Sequence, residues 1–360
     1  MDQIRASWPS AELKYYLLHD LGDESLTIDW IAADALEEKC KLFVLTTGEH
    51  GVEGYVGSAM LELFMQQFLQ RLEPKDTGLL LVHAINPWGM KYKRRVNQYN
   101  VDLNRNFVMS SAEFDASFNP DYKKMESFLN PSRQLKIKLS SDIPFYLNLL
   151  FLLFSQGMRN MRASTLSGQY AYPQGLYYGG KQYQKETGAL MELYRQHFGR
   201  YDQILHLDMH TGYGPRYQMS LVNSVYDPVD SADYISRFYY PLVVRTNPDE
   251  FYAMRGDMVD CEYQLMAAEF PAKRFYATAF EFGTYGDNLW AAVRSLQTMI
   301  YENQLFWHGS RHQTLGNQIK RNFLELYFPT EAQWQQKAVL DARQAFEGIL
   351  KAEGYWHSDG

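Results

Sequence analysis

Cysteine is scarce: the 360 residues hold two, Cys40 and Cys261, and no C-x-x-C pair. That excludes a disulfide framework and a thiolate metal site, and leaves free thiols of a reducing compartment as the expectation. Excess positive charge is absent too. Lys and Arg number 35 against 42 Asp and Glu, a formal net charge of −7, so there is no basic footprint for nucleic acid, and Lys93-Arg94-Arg95 is too short a run to make one. A bilayer-spanning run is missing as well. The greasiest stretch, Ile143 to Phe154, carries Asn148 and Pro144 and falls well short of the ~20 apolar residues a span requires; it reads as a buried or interface helix. Met1 to Trp8 lacks the apolar core of a signal peptide, so cytoplasm is the expected location and no membrane partner is expected. G-x-x-x-x-G-K-[ST], G-x-S-x-G and H-E-x-x-H do not occur, which argues against P-loop NTPases, α/β-hydrolases and helix-borne zincins.

What is present is 46% hydrophobic and 15% aromatic sequence, enough to bury a large core. Leu42 to Leu45 form a continuous apolar run bounded by Thr46, Thr47 and Gly48, the pattern of a strand buried on both faces. From Ser58 the apolar residues Leu61, Phe64, Met65, Phe68, Leu69 and Leu72 recur at helical steps until Pro74. His50 and Glu53 therefore fall on a strand-to-helix turn, where open α/β sheets place ligands. An imidazole nitrogen and a carboxylate three residues apart can converge on one ion. Alone the pair is a weak signal, and a polar turn with Glu53 capping the helix is the alternative.

Further along, Trp30 to Lys41 reads as a helix, and Gly78 to Ile85 as a second buried strand whose His83 is left out of the metal site. Arg95 to Phe107 is polar and rich in asparagine and arginine. It suits a ligand-lining loop whose planar donors match a carboxylate, or else a solvated surface loop. Residues 118–183 read as a long loop-rich excursion around the greasy helix, and a helix follows from about Glu186 to His197. Ile204 to Gly212 is another strand, ending at His210 beside a glycine turn; His206 and Asp208 share its face as partners of that histidine or as packing. Ala277 to Gly286 sets Glu281 among aromatics, either a buried carboxylate tuned toward general-base work or an edge residue facing water. Residues 287–311 read as helical, and 313–360 as a helical C-terminal extension without visible chemistry. No linker separates His50 from Glu281, so a single domain over 1–360 is expected to gather them: an α/β fold with a mixed, largely parallel central sheet flanked by helices.

The ordered set His50-x-x-Glu53, Arg95, Asp102-Leu103-Asn104-Arg105-Asn106-Phe107, His210 in Asp-x-His-Thr-Gly, and Glu281 in Glu-Phe-Gly-Thr resembles the zinc carboxypeptidase family, over roughly residues 40–300. The resemblance implies that His50, Glu53 and His210 hold one zinc ion and that Glu281 is the general base. It implies further that Asp102 orients His50, that Arg95 polarises the scissile carbonyl, and that Asn104 and Arg105 grip a terminal carboxylate. Substrates would be small peptides or N-acyl amino acids with a free carboxylate. A carboxypeptidase-type metallopeptidase is the leading reading, a zinc deacylase of the aspartoacylase or desuccinylase kind the alternative, and a non-catalytic peptide- or cell-wall-binding module the third. The pocket tyrosine of the digestive enzymes has no secure counterpart; Tyr252 stands in a plausible region, followed by Arg255, which would favour an acidic side chain or face solvent. Oligomeric state is not legible.

Overall fold

A computed structural model describes residues 1–18, 26–136, 138–247 and 254–356. Tyr252 lies outside them. Eight strands form one mixed sheet: β1 Glu12–Leu17, β2 Thr27–Ala33, β3 Lys41–Thr47, β4 Thr77–His83, β5 Gln203–Thr211, β6 Met219–Asn223, β7 Val243–Arg245 and β8 Arg274–Phe282, in the order β1-β2-β4-β3-β5-β8-β6-β7. The centre is parallel, through β4·β3, β3·β5 and β5·β8, while β1·β2, β2·β4 and β6·β8 are antiparallel. The α/β expectation holds, and the largely parallel centre explains the apolar runs. Phe43 and Leu45 of β3 enter one core cluster with the helices Gly54–Gln67 and Ala332–Ala352, while Leu42 and Val44 enter another with Lys185–Phe198 and Met258–Glu269. Helices cover both faces, so successive residues are apolar instead of alternating.

The expected helix at Trp30 to Lys41 is not there. Its first residues belong to β2, with Ile28 and Ala32 buried in one cluster and Ala33 in the other. An apolar stretch whose two faces are both covered satisfies strand and helix spacing alike, and pairing with β1 and β4 decides between them. The 118–183 excursion is more helical than expected: Pro120–Leu129, Lys138–Gln156 and Met158–Leu166 pack into a third cluster with Leu289–His308 and Gln313–Tyr327. Among the described residues no helix is long and apolar enough to cross a membrane. The C-terminal segment carries core residues, since Trp334, Phe346, Ile349 and Leu350 are all buried against the sheet's main cluster.

Candidate metal centre and active site

β3 delivers its chain end to the carboxyl edge of the sheet, and the turn after it runs directly into the helix Gly54–Gln67 through a single 3-10 turn at Gly51–Glu53. Gly51 is required by close approach: a Cβ there would lie 2.1 Å from the carbonyl carbon of Gly89. The turn brings the His50 ring and the Glu53 carboxylate to the same side, Nδ1 to Oε1 being 2.9 Å. Glu53 occupies the cap position but makes no side-chain cap bond. Its Oε2 instead accepts from the Thr211 amide at 2.9 Å and lies 3.1 Å from His210 Nδ1. β5 runs parallel to β3, which places His210 beside that turn, and the two Nδ1 atoms are 3.3 Å apart. Histidines 160 positions apart therefore meet edge to face, with ring centroids 5.0 Å apart.

Carboxylates hold the far ring nitrogens. His50 Nε2 lies 3.0 Å from Asp102 Oδ1, and His210 Nε2 is bonded to Asp208 Oδ2. A carboxylate accepts only, so each bond needs a proton on Nε2, and in a neutral ring the Nδ1 lone pair then faces the other histidine and Glu53. The two Nδ1 atoms, 3.3 Å apart, face the Glu53 carboxylate, whose Oε1 lies 2.9 Å from His50 Nδ1 and whose Oε2 lies 3.1 Å from His210 Nδ1, a donor arrangement of the kind that could hold a cation. Glu49, His50 and His210 also lie close enough for such a group. The contact of Glu49, however, is to His210 Nε2 at 3.3 Å, the nitrogen that Asp208 already holds, whereas Glu53 reaches both Nδ1 atoms.

Electrostatics follow the contacts. Burial pushes the Glu53 carboxyl up, but the rings of His50 and His210 outweigh it and hold Glu53 well below the usual carboxylate range. Burial likewise opposes the charge on Asp102, and Arg95 beside it prevails and keeps it ionised. Arg95 spans the two carboxylates, Nε to Asp102 Oδ2 at 3.1 Å and Nη1 to Glu53 Oε1 at 3.3 Å. Glu281 is the Cα partner of His210 across β5 and β8, so both side chains leave the sheet on one face. β8 is an interior strand, which removes the edge-residue alternative. Burial, and next the Glu53 carboxylate, raise the Glu281 pKa to about 8, while its Oε1 accepts from the Tyr213 amide at 3.0 Å.

The pair His206 and Asp208 proves to be part of a buried chain. Thr46 Oγ1 donates to Asp208 Oδ1 at 2.6 Å and lies 2.7 Å from His206 Nε2, and His206 Nδ1 lies 2.7 Å from Glu262 Oε2. Other sequence expectations find a different setting. Asn104 reaches the cavity wall, but its amide donates to Asp257 Oδ2 at 3.0 Å and its carbonyl accepts from the Met258 amide at 2.8 Å. Arg105 is fully buried, with Nη1 on the Asn104 carbonyl and Nη2 on the Leu166 carbonyl, each at 2.7 Å. His83 bonds Thr47 Oγ1 at 2.6 Å and stays outside the site, as expected. Arg255 stacks 3.7 Å over the Phe118 ring instead of entering the cavity.

Two residues escaped the sequence reading. Glu49 is fully buried with neither carboxylate oxygen hydrogen-bonded, and burial pushes its carboxyl well above the usual range. Its place next to His50 in the chain was the available signal. Tyr327, from the C-terminal segment thought to lack chemistry, lines the cavity with Tyr177, and its carbonyl accepts from Thr211 Oγ1 at 2.7 Å. No local pattern marks it.

No curated protein matches the chain. Solved structures it resembles include a carboxypeptidase A from Helicoverpa armigera, 13% identical with a TM-score of 0.44, the match covering 89% of this chain and 70% of that one. An aspartoacylase family protein from Mesorhizobium loti is 13% identical with a TM-score of 0.37, covering 83% and 67%. A succinylglutamate desuccinylase from Chromobacterium violaceum is 12% identical with a TM-score of 0.39, covering 84% and 72%. The model of the family described as "Protein of unknown function (DUF2817)" matches residues 5–341, and the chain belongs to that family.

Proposed function

We propose that this protein is a zinc-dependent hydrolase of an amide bond, of the carboxypeptidase type, acting on a small peptide or an N-acyl amino acid. The observation that carries the reading is the convergence of two Nδ1 lone pairs and the Glu53 carboxylate, with Glu281 on the same face one strand away. His50, Glu53 and His210 would hold the ion, which when bound supplies Lewis acidity toward a carbonyl oxygen. Glu281 takes a proton from the attacking water and returns it to the leaving amine, so that water adds across the C–N bond to give an acid and an amine. Asp102 holds the His50 ring and, through its second oxygen, Arg95, whose guanidinium then faces the developing oxyanion.

A grip on a substrate carboxylate by Asn104 and Arg105 requires exchange of the bonds they now make to Asp257, Met258 and Leu166. A screen of short peptides against N-acetyl, N-succinyl and longer N-acyl amino acids tests the reading, with carboxamide-ended peptides as the arm that reports the grip. Turnover abolished by a chelator and restored by zinc supports the proposal; absence of any amide turnover by the metal-loaded protein removes it.

A further inference from the structure

The cavity above the candidate site holds about 290 Å³ and is walled by two groups of helices. Leu149 and Leu153 of Lys138–Gln156 and Met161 of Met158–Leu166 form one side; Val293, Leu296 and Met299 of Leu289–His308 form the other. On these helix walls the charged lining residue is Arg162, exposed at the rim, with its guanidinium carbon 5.3 Å from the centroid of the Tyr213 ring. The candidate-site residues His50, Arg95, His210 and Glu281 line the cavity too, and Asp287 and Asn288 line it just before Leu289.

A second observation extends the apolar wall outward. The helix Lys138–Gln156 buries Phe145, Leu149 and Leu152 but turns Leu150, Phe151 and Phe154 to the outside, the last 94% exposed. Met158 and Leu289 line the cavity and are themselves about half exposed, 49% and 47%, so the apolar lining continues to the outer surface, where Arg162 and Asp287 are the charged residues of the rim. An ionised or zwitterionic group placed against Leu149, Leu153, Met161, Val293, Leu296 and Met299 would lose hydration that these side chains cannot replace. An alkyl or aryl group there would gain the transfer energy of its buried surface.

Resting on the amide-hydrolase reading, we propose that one side of the scissile amide carries a long, uncharged apolar group, which lies between the two helix walls and leaves past Met158 and Leu289. The chemistry is shared by a medium- or long-chain N-acyl amino acid and by a short peptide with bulky apolar side chains.

The test is kcat/KM of the zinc-loaded full chain over N-acyl amino acids from acetyl to dodecanoyl, beside di- and tripeptides graded from alanine to phenylalanine. Displacement of a fluorescent long-chain fatty acid is measured in parallel. The proposal expects kcat/KM to climb with chain length by up to roughly fourfold per methylene until the cavity is full. Climbing in the acyl series alone identifies the acyl source, and climbing in the peptide series alone the side-chain source. Met158→Glu and Leu289→Glu, at half-exposed positions, are expected to lower the ratio of dodecanoyl to acetyl turnover at least tenfold, while Met158→Leu keeps it. Flat profiles in both series, or a ratio untouched by both glutamates, overturn the proposal and leave amide hydrolysis standing. Chain-length-dependent displacement that both glutamates abolish, without turnover of any amide, supports the apolar site and removes the hydrolase reading. Neither turnover nor displacement removes both.

Discussion

Nδ1 of His50 and Nδ1 of His210 face each other across 3.3 Å, although each ring has its other nitrogen tied to a carboxylate, Asp102 for one and Asp208 for the other. Two lone pairs at that separation repel unless a cation or a proton lies between them. The two rings and the carboxylates that hold them therefore form one unit.

The first prediction concerns the ligands. Purified protein is expected to bind one zinc ion per chain, and His210→Ala or His50→Ala to abolish stoichiometric binding, with Glu53→Gln weakening it. Metal analysis after dialysis against a weak chelator measures this; full zinc content in His210→Ala would remove the assignment.

Asp208 and Asp102 hold the rings of the two proposed ligands, His210 and His50. Asp208→Asn keeps the size of the side chain but lets an amide nitrogen face His210 Nε2, so the ring loses the acceptor that fixes its tautomer. Zinc affinity is expected to fall roughly 10- to 100-fold, and likewise for Asp102→Asn. Competition titration reads the affinity, and the visible spectrum of the cobalt-substituted protein reads the ligand geometry. Unchanged affinity and spectrum in both variants would leave these carboxylates with no part in the site.

Glu281→Gln separates chemistry from binding. The carboxamide retains an oxygen that can accept from the Tyr213 amide but cannot take a proton. Turnover should drop by ~10²- to 10⁴-fold with zinc content unchanged. Loss of zinc, or retained turnover, contradicts the proposed base.

Stability should decline with pH through a window set by Glu186. This residue is fully buried, and burial raises its pKa from the ordinary 4.5 to about 7. Between those values the folded chain keeps a proton that the unfolded chain has released, so unfolding free energy falls as pH rises; the loss begins near 4.5 and is complete above about 7. A shift of that size corresponds to about 3 kcal/mol. Asp260, also raised to about 7, titrates in the same window. The comparison of wild type with Glu186→Gln in urea at pH 5 and pH 8 isolates the glutamate. The variant should lose less stability between the two pH values, and equal losses would contradict the assignment.

The runs 42–45, 78–85, 204–212 and 277–286 announced β3, β4, β5 and β8, because strands covered on both faces must be apolar throughout, and that is a local property. The same reasoning misplaced β2, whose identity depends on its neighbours, and did not reveal β6 or β7, short strands that exist through pairing with β8 and with each other. The residue types of the candidate site were legible too, since histidine and glutamate at the turn after β3 and toward the ends of β5 and β8 are buried where polar groups need a reason. What the tertiary structure alone decided is which atoms meet. Parallel pairing of β3 with β5 brings His210 beside His50, and the β5·β8 register puts Glu281 opposite His210. Packing of the C-terminal helices adds Tyr327 to the cavity, and bonds to Leu166 and Asp257 occupy Arg105 and Asn104. These contacts join residues far apart in the chain, so no local spacing encodes them. Their geometry is set by sheet register and by the burial of polar groups that must find partners inside the protein.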